Sequence, residues 1–174
     1  MKKLEGKKMK LNFGCGKAIK KGNGWVNADI QKSLDIEYSF DFEVFPYPFD
    51  DDTFEFVLAD NVFEHLSQVN DVVLELHRIC KQNAEIFVRV PNWNAKCAYN
   101  DSDHKRFFNE RAIELLFGVK TSYRYEMKPM FECLEITLVP SNMCRFIPGP
   151  LRNVLSVYLC NIVRAIEARF RVIK

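Results

Sequence analysis

Two spacings of apolar residues run through the chain, and the switches between them lay out its elements. Leu11 and Phe13 alternate with Lys10 and Asn12, the two-residue period of a strand with unequal faces, over residues 9–14. Residues 25–28 repeat the pattern and end at Asp29. Ile36, Tyr38, Phe40 and Phe42 mark one face of a third strand that closes near Asp41. Residues 54–59 and 84–90 are largely apolar, as strands covered on both faces should be. Between them Val72, Val73, Leu76, Ile79 and Cys80 recur at helical spacing. They predict a helix over 71–81, with Asn70 as its N-cap and His77 and Arg78 on its solvent side. A further helix is expected over 109–117, stopped by Gly118, and a strand over 132–139. Pro150 opens a helix to 166, with Leu151, Val154, Leu155, Tyr158, Leu159, Ile162, Val163 and Ile166 in register and core packing expected for that stripe. Ala168, Phe170 and Val172 alternate with charged residues, which reads as a closing strand or as more of the same helix.

The breaks between these runs carry as much information. Gly14-Cys15-Gly16 directly follows the first strand, where glycines allow a tight turn and let a ligand approach the main chain with no Cβ in the way. Only eight residues separate Gly16 from Trp25, two of them glycines, too few for the helix that normally joins two parallel strands. Residues 45–49 hold Pro46 and Pro48 and read as an extended link into an Asp50-Asp51-Asp52 turn. Asn83 stands where a left-handed helix cap is needed. Strands alternating with helices predict an α/β chain with a mostly parallel sheet and one shortened connection.

Composition narrows the class. With 174 residues and 48% hydrophobic content, one domain over 1–174 is expected, with a sizeable core. A net charge of +2 argues against a nucleic-acid platform. Between Ser33 and His77 there is no Lys or Arg against twelve Asp and Glu, a solvated acidic face that would also suit a cationic ligand. Six cysteines without a CxxC, behind a Lys-rich start with no apolar leader, point to a reduced cytoplasmic chain. The three histidines lie at no metal-ligand spacing from one another or from a cysteine, so no metal is expected.

In an open parallel sheet, ligands sit beyond the carboxyl ends of the strands. Gly-x-Gly after one strand, with Asp29 at the tip of the next, therefore points to a nucleoside-type cofactor whose ribose hydroxyls the carboxylate accepts. Leu-Asn-Phe-Gly-Cys-Gly, Asn27-Ala28-Asp29, the run from Pro48-Phe49 to Val57, Glu64-His65-Leu66 and Val88-Arg89-Val90-Pro91-Asn92 then follow in order over 9–117. Together they resemble the class I S-adenosylmethionine-dependent methyltransferases, in particular the small type 11-like ones. The resemblance implies a Rossmann-like sheet and S-adenosyl-L-methionine as cofactor. It implies a cofactor site of Asn12, Gly14, Cys15, Gly16, Asp29, Ile30, Asp41, Phe42, Asp60 and Asn61. In it Asp41 contacts the adenine amino group and Phe42 packs on the ring, the alternative for Asp41 being a carboxylate that only closes a turn. The third glycine of the usual fingerprint is replaced by Ala18.

Residues 93–106 leave the fifth strand without a regular period and are expected to hold the acceptor. Tyr99 and Arg106 are the candidate substrate contacts, and Arg106 could clamp an anion. His104 is the candidate base for an alcohol acceptor, against a local capping or pairing role; His65 is the second imidazole, expected to pack beneath the cofactor. The resulting expectation is a methyltransferase acting on a small molecule or glycan, with O-methylation favoured. Two other readings stay open: a non-catalytic cofactor-binding partner subunit, and a peripheral membrane enzyme that uses helix 150–166 as an interfacial anchor on lipid-linked substrates.

Overall fold

The computed structural model describes residues 9–33, 35–118 and 129–174; the Lys-rich start lies outside them. Among the described residues seven strands are formed: β1 (Lys10–Phe13), β2 (Trp25–Asp29), β3 (Tyr38–Ser39), β4 (Phe54–Asp60), β5 (Cys80–Pro91), β6 (Phe131–Pro140) and β7 (Val163–Val172). Three α-helices accompany them: α1 (Val69–Ile79), α2 (Glu110–Leu116) and α3 (Gly149–Tyr158). The strands make one sheet in the order β3-β2-β1-β4-β5-β7-β6. The first five are parallel, whereas β7 runs antiparallel to both β5 and β6. Phe13 lies level with Ala28 and Ala59, and Asp60 with Arg89, so the carboxyl ends of β1, β2, β4 and β5 share one edge. That edge carries the site. As expected, no helix joins β1 to β2.

Two aromatic clusters stand out in the core. Phe13 stacks on Phe42 at 3.9 Å between centroids, and Phe40, Phe45, Tyr47 and Phe49 pack around them. Tyr47, in the proline-rich link, donates its hydroxyl to the Phe42 carbonyl at 2.9 Å. Phe117, at the end of α2, stacks on Phe170 at 4.1 Å and meets Phe63 and Phe131. Asn109 caps α2, its side chain accepting the Ala112 amide at 2.8 Å, and Gly118 follows with φ +66°.

Several elements differ from the sequence expectation for local reasons. The third strand shrinks to two residues because it lies at the sheet edge and Asp41 turns the chain, accepting the Glu43 amide at 2.8 Å. Helix α1 begins after Gln68, not after Asn70. No side chain of its own caps it; the Glu43 carboxylate takes the Ser67 and Gln68 amides in the turn before it. Burial opposes ionisation there, but those amides and Lys105 hold the Glu43 carboxyl below its usual range. Cys80 is already extended and pairs with Phe54, so β5 starts earlier than expected. Asn83, at φ +65°, forms the bulge that shifts the register from Phe54–Cys80 to Phe56–Glu85.

Arg78 and His77 are not idle surface groups. Arg78 bonds both oxygens of Glu75, reaches Asp51 and donates to the Tyr47 carbonyl. The His77 ring donates to the Ile173 carbonyl at 2.7 Å and meets Phe131 edge-on. The largest correction is at the C-terminal end. The helix from Pro150 stops at Tyr158, Asn161 turns at φ +63°, and Val163 and Ile166 belong to β7. Pairing with β5 on one side and β6 on the other outweighs the helical spacing. Nor does α3 pack into the core: none of its residues is buried, and Leu151, Val154, Val157 and Tyr158 are all more than half exposed.

Candidate active site

The glycine turn after β1 folds back onto the end of β2. The Gly14 and Cys15 amides both donate to the Ala28 carbonyl, at 2.9 and 3.1 Å. Gly14 sits at φ +68°, and a Cβ there would lie 2.4 Å from Val62 Cγ2, so conformation and space both demand glycine. Gly16, at φ +48°, has nothing within 4 Å of where its Cβ would be, which leaves an open approach. Asp29, 8% exposed, accepts the Gly16 amide at 2.7 Å on one oxygen and the Gln31 amide at 3.0 Å on the other. A carboxylate has about four acceptor positions. Two remain for ligand hydroxyls. Beside it Ile30 offers an uncovered apolar surface, 62% exposed.

Other expected cofactor residues hold the frame. Both amide hydrogens of Asn12 are committed, to Ala18 and to Asn27, each at 2.9 Å. Asn27 in turn exchanges bonds with the Lys20 main chain. This buried pair ties down the loop that replaces the missing helix. Asn12 thus holds that loop with both of its amide hydrogens. Burial, followed by Asp29, pushes the Cys15 thiol up to about 11, so it stays protonated and only its main chain is of use. Phe42 is 7% exposed and lies against Phe13 and Tyr47. Asp41 accepts the Glu43 amide in its turn and remains exposed. Asn61, at φ +54° after β4, donates to Asp60 at 2.8 Å, and both stand at the carboxyl edge.

Past β4 the chain makes a short 3-10 turn, Phe63–His65, which places Glu64 and His65 beside a cavity of about 260 Å³. Asn61, Arg89, His104 and Arg164 line it too. Glu64 is 1% exposed and neither of its carboxylate oxygens has a hydrogen-bond partner. Burial pushes its carboxyl up to about 7, against the pull of its own backbone amide and of His104. The Glu64 carbonyl accepts the Lys105 and Arg106 amides at 2.8 and 3.1 Å, which draws the 93–106 segment onto this turn. His104 Nδ1 lies 2.8 Å from the Ala98 carbonyl. A carbonyl only accepts, so Nδ1 carries the hydrogen and Nε2 keeps its lone pair. His65 Nδ1 faces the Asp103 carbonyl at 3.3 Å, and the two rings meet edge-on at 4.8 Å.

The two expected substrate contacts do not join this cavity. Arg106 donates to the Leu66 carbonyl at 3.0 Å and to that of Ser67, which makes it a buckle between segments. Tyr99 stacks on Phe107 at 4.7 Å and does not line the cavity. Conversely, Arg89, Arg164 and Glu64 line it without having been singled out. Arg164 had been assigned to a helix, and only the strand pairing of β7 turns it to this edge. Glu64 was visible within Glu-His-Leu, but no sequence signal announced its burial.

Residues 11–88 match the family described as Methyltransferase domain, of type 11. Over those residues the chain matches a methyltransferase domain, and its strand order is that of the class I S-adenosylmethionine-dependent methyltransferase fold. The fold is shared with an S-adenosylmethionine-dependent methyltransferase from Archaeoglobus fulgidus, at 13% identity over 95% of this chain and 86% of that one, with a TM-score of 0.69. The YcgJ protein from Bacillus subtilis follows at 12% identity over 97% and 93%, TM-score 0.64. The cyclase SpnF is similar too, at 14% identity over 98% and 76%, TM-score 0.62. No curated protein matches the sequence.

The residues present fit the methyltransferase cofactor. Gly16 leaves open space beside the turn, Asp29 keeps acceptor capacity for ribose hydroxyls, and Ile30 offers an apolar face. Bound there, S-adenosylmethionine supplies a methyl group on a sulfonium, an electrophile with a good leaving group. The chain then has to hold an acceptor in line with that methyl.

Proposed function

We propose that this methyltransferase acts on a hydroxyl of a small molecule or glycan held in the cavity beside Glu64, with His104 taking the proton. The observation that carries the reading is the Nδ1–H bond of His104 to the Ala98 carbonyl, which fixes the tautomer and leaves Nε2 free as a base. Asp60 and Glu64 lie nearby and favour a cationic donor on this side of the sheet. Gly14, Cys15 and Gly16 would meet the donor through their main chain, Asp29 its ribose and Ile30 its adenine, with Asp60 and Asn61 nearest the methyl. Arg89 and Arg164 replace Arg106 as the candidate contacts for an anionic part of the acceptor. We further read 1–174 as one domain, supported by a single sheet that takes strands from both ends of the chain, and as cytoplasmic, the compartment that the free thiols of Cys15, Cys80, Cys97, Cys144 and Cys160 suit. An acceptor screen that follows S-adenosylhomocysteine tests the reading: hydroxyl compounds should turn over, and amine acceptors alone turning over would overturn it.

One observation favours a second reading. The uncovered apolar residues of α3, with Phe146 93% and Met143 90% exposed just before it, suit a membrane surface or a partner subunit. Among the described residues no helix is long and apolar enough to cross a membrane. Vesicle co-sedimentation tests the membrane form of this reading. The partner-subunit form requires that S-adenosylmethionine drive no turnover with any acceptor.

A further inference from the structure

The cavity wall holds a combination that ordinary packing does not explain. Glu64 is 1% exposed with both oxygens unpartnered, and an unpaired carboxylate is among the costliest groups to bury. Next to it stand His65 and His104, each with Nδ1 toward a backbone carbonyl, at 3.3 and 2.8 Å. That arrangement holds the hydrogen on Nδ1 and leaves Nε2 as the free lone pair of each ring. One ligand atom from each of the three side chains lies within 4.8 Å of the other two. The three side chains thus turn metal-ligand atoms toward one another. Backbone carbonyls behind the rings are also the usual partners of imidazoles that bind metal, since they fix tautomer and orientation.

We propose that Glu64, His65 and His104 hold one divalent first-row transition-metal ion at the acceptor side of the cavity. Two imidazoles and one carboxylate suit manganese, iron or zinc better than magnesium or calcium, which favour all-oxygen ligation. Ligand distances near 2.0–2.2 Å require the three groups to close slightly on the ion. Asn61, Arg89 and Arg164 line the open side, so coordination positions remain for an acceptor. This rests on the reading of the cavity as the acceptor site, and it changes how the proton leaves. An acceptor hydroxyl bound to the ion becomes more acidic and releases its proton to water. Its oxygen then takes the methyl as the carbon–sulfur bond breaks and S-adenosylhomocysteine departs. Both schemes need His104. Only this one needs His65.

Sequence spacing hides the site, because His65 and His104 are 39 positions apart and neither has a neighbouring histidine or cysteine at ligand spacing.

Cobalt(II) titration of the full chain, read by visible absorption and by calorimetry, tests the proposal. The expected result is one ion per chain, with ligand-field bands and no thiolate charge transfer. Affinity should fall by at least about 100-fold, the upper end of what losing an outer partner costs, in Glu64→Gln and separately in His65→Ala. Glu64→Gln keeps the shape of the side chain, and thermal melting of each metal-free variant confirms that it is folded. No saturable binding, unchanged binding in both folded variants, or a thiolate band placing the ion on Cys97 would overturn it. Donor binding is titrated separately with S-adenosylmethionine, so loss of the metal proposal and loss of the methyltransferase reading give different results.

Discussion

Gly14 carries two constraints that can be separated by experiment. Its φ of +68° disfavours any residue with a Cβ, at about 1–3 kcal/mol, and Val62 stands 2.4 Å from where that Cβ would go. Gly14→Ala is expected to lower stability by at least that amount in chemical denaturation. In a double-mutant cycle, Val62→Ala should relieve the contact but not the backbone strain, which gives a favourable coupling. Strict additivity would show that the contact relaxes unaided. His104→Ala, with an alcohol acceptor, should reduce turnover by about 10²–10⁴-fold while S-adenosylmethionine affinity barely moves. If donor affinity collapses instead, the 93–106 segment folds over the cofactor and the acceptor lies elsewhere. At this scale the sequence announced the residues but not their duties. Gly14, Gly16 and Asp29 were legible because adjacent residues build the turn and the tip. The burial of Phe42 and the two side-chain bonds of Asn12 were not legible, since alternation marks a face without saying what covers it.

Elements are held to the site by links that run between them, and one is pH-sensitive. Glu75 on α1 accepts the Tyr47 amide at 2.7 Å, and Arg78 bonds both of its oxygens at 3.0 and 3.1 Å. Burial pushes the Glu75 carboxyl up, but Arg78 and the Tyr47 amide outweigh it and hold the group below its usual range. A lowered folded value means stability that is present above the unfolded carboxylate range and is lost as pH falls through the folded value. Glu75→Gln should therefore melt below the parent at neutral pH, by about 1.5–3 kcal/mol for bonds to a charged group. The gap should close on acidification. A gap independent of pH would mean that the carboxylate charge contributes nothing. The same scale explains the main misreading. Residues 150–166 satisfy a helical spacing throughout, and 163–172 also satisfy a strand spacing. Only the neighbours β5 and β6, themselves distant in sequence, decide between them.

The whole molecule is a parallel sheet with a reversed strand inserted near one side, and its carboxyl edge gathers groups from β1, β2, β4, β5, β7 and the 93–106 segment. The donor half of that edge was readable because it lies within residues 12–30. The acceptor half was not, because Glu64, His104 and Arg164 come together only through the fold. The similarity to a cyclase also shows that this sheet alone does not fix a reaction. The central claim is that the methyl donor binds at the glycine turn with its ribose on Asp29. Calorimetric titration of S-adenosylmethionine into the parent chain and into Asp29→Ala tests it most directly. The account predicts binding at one donor per chain, weakened in the variant by about 1.5–3 kcal/mol, or roughly 10- to 150-fold. Equal affinity in the two proteins, or no binding to the parent, would contradict it.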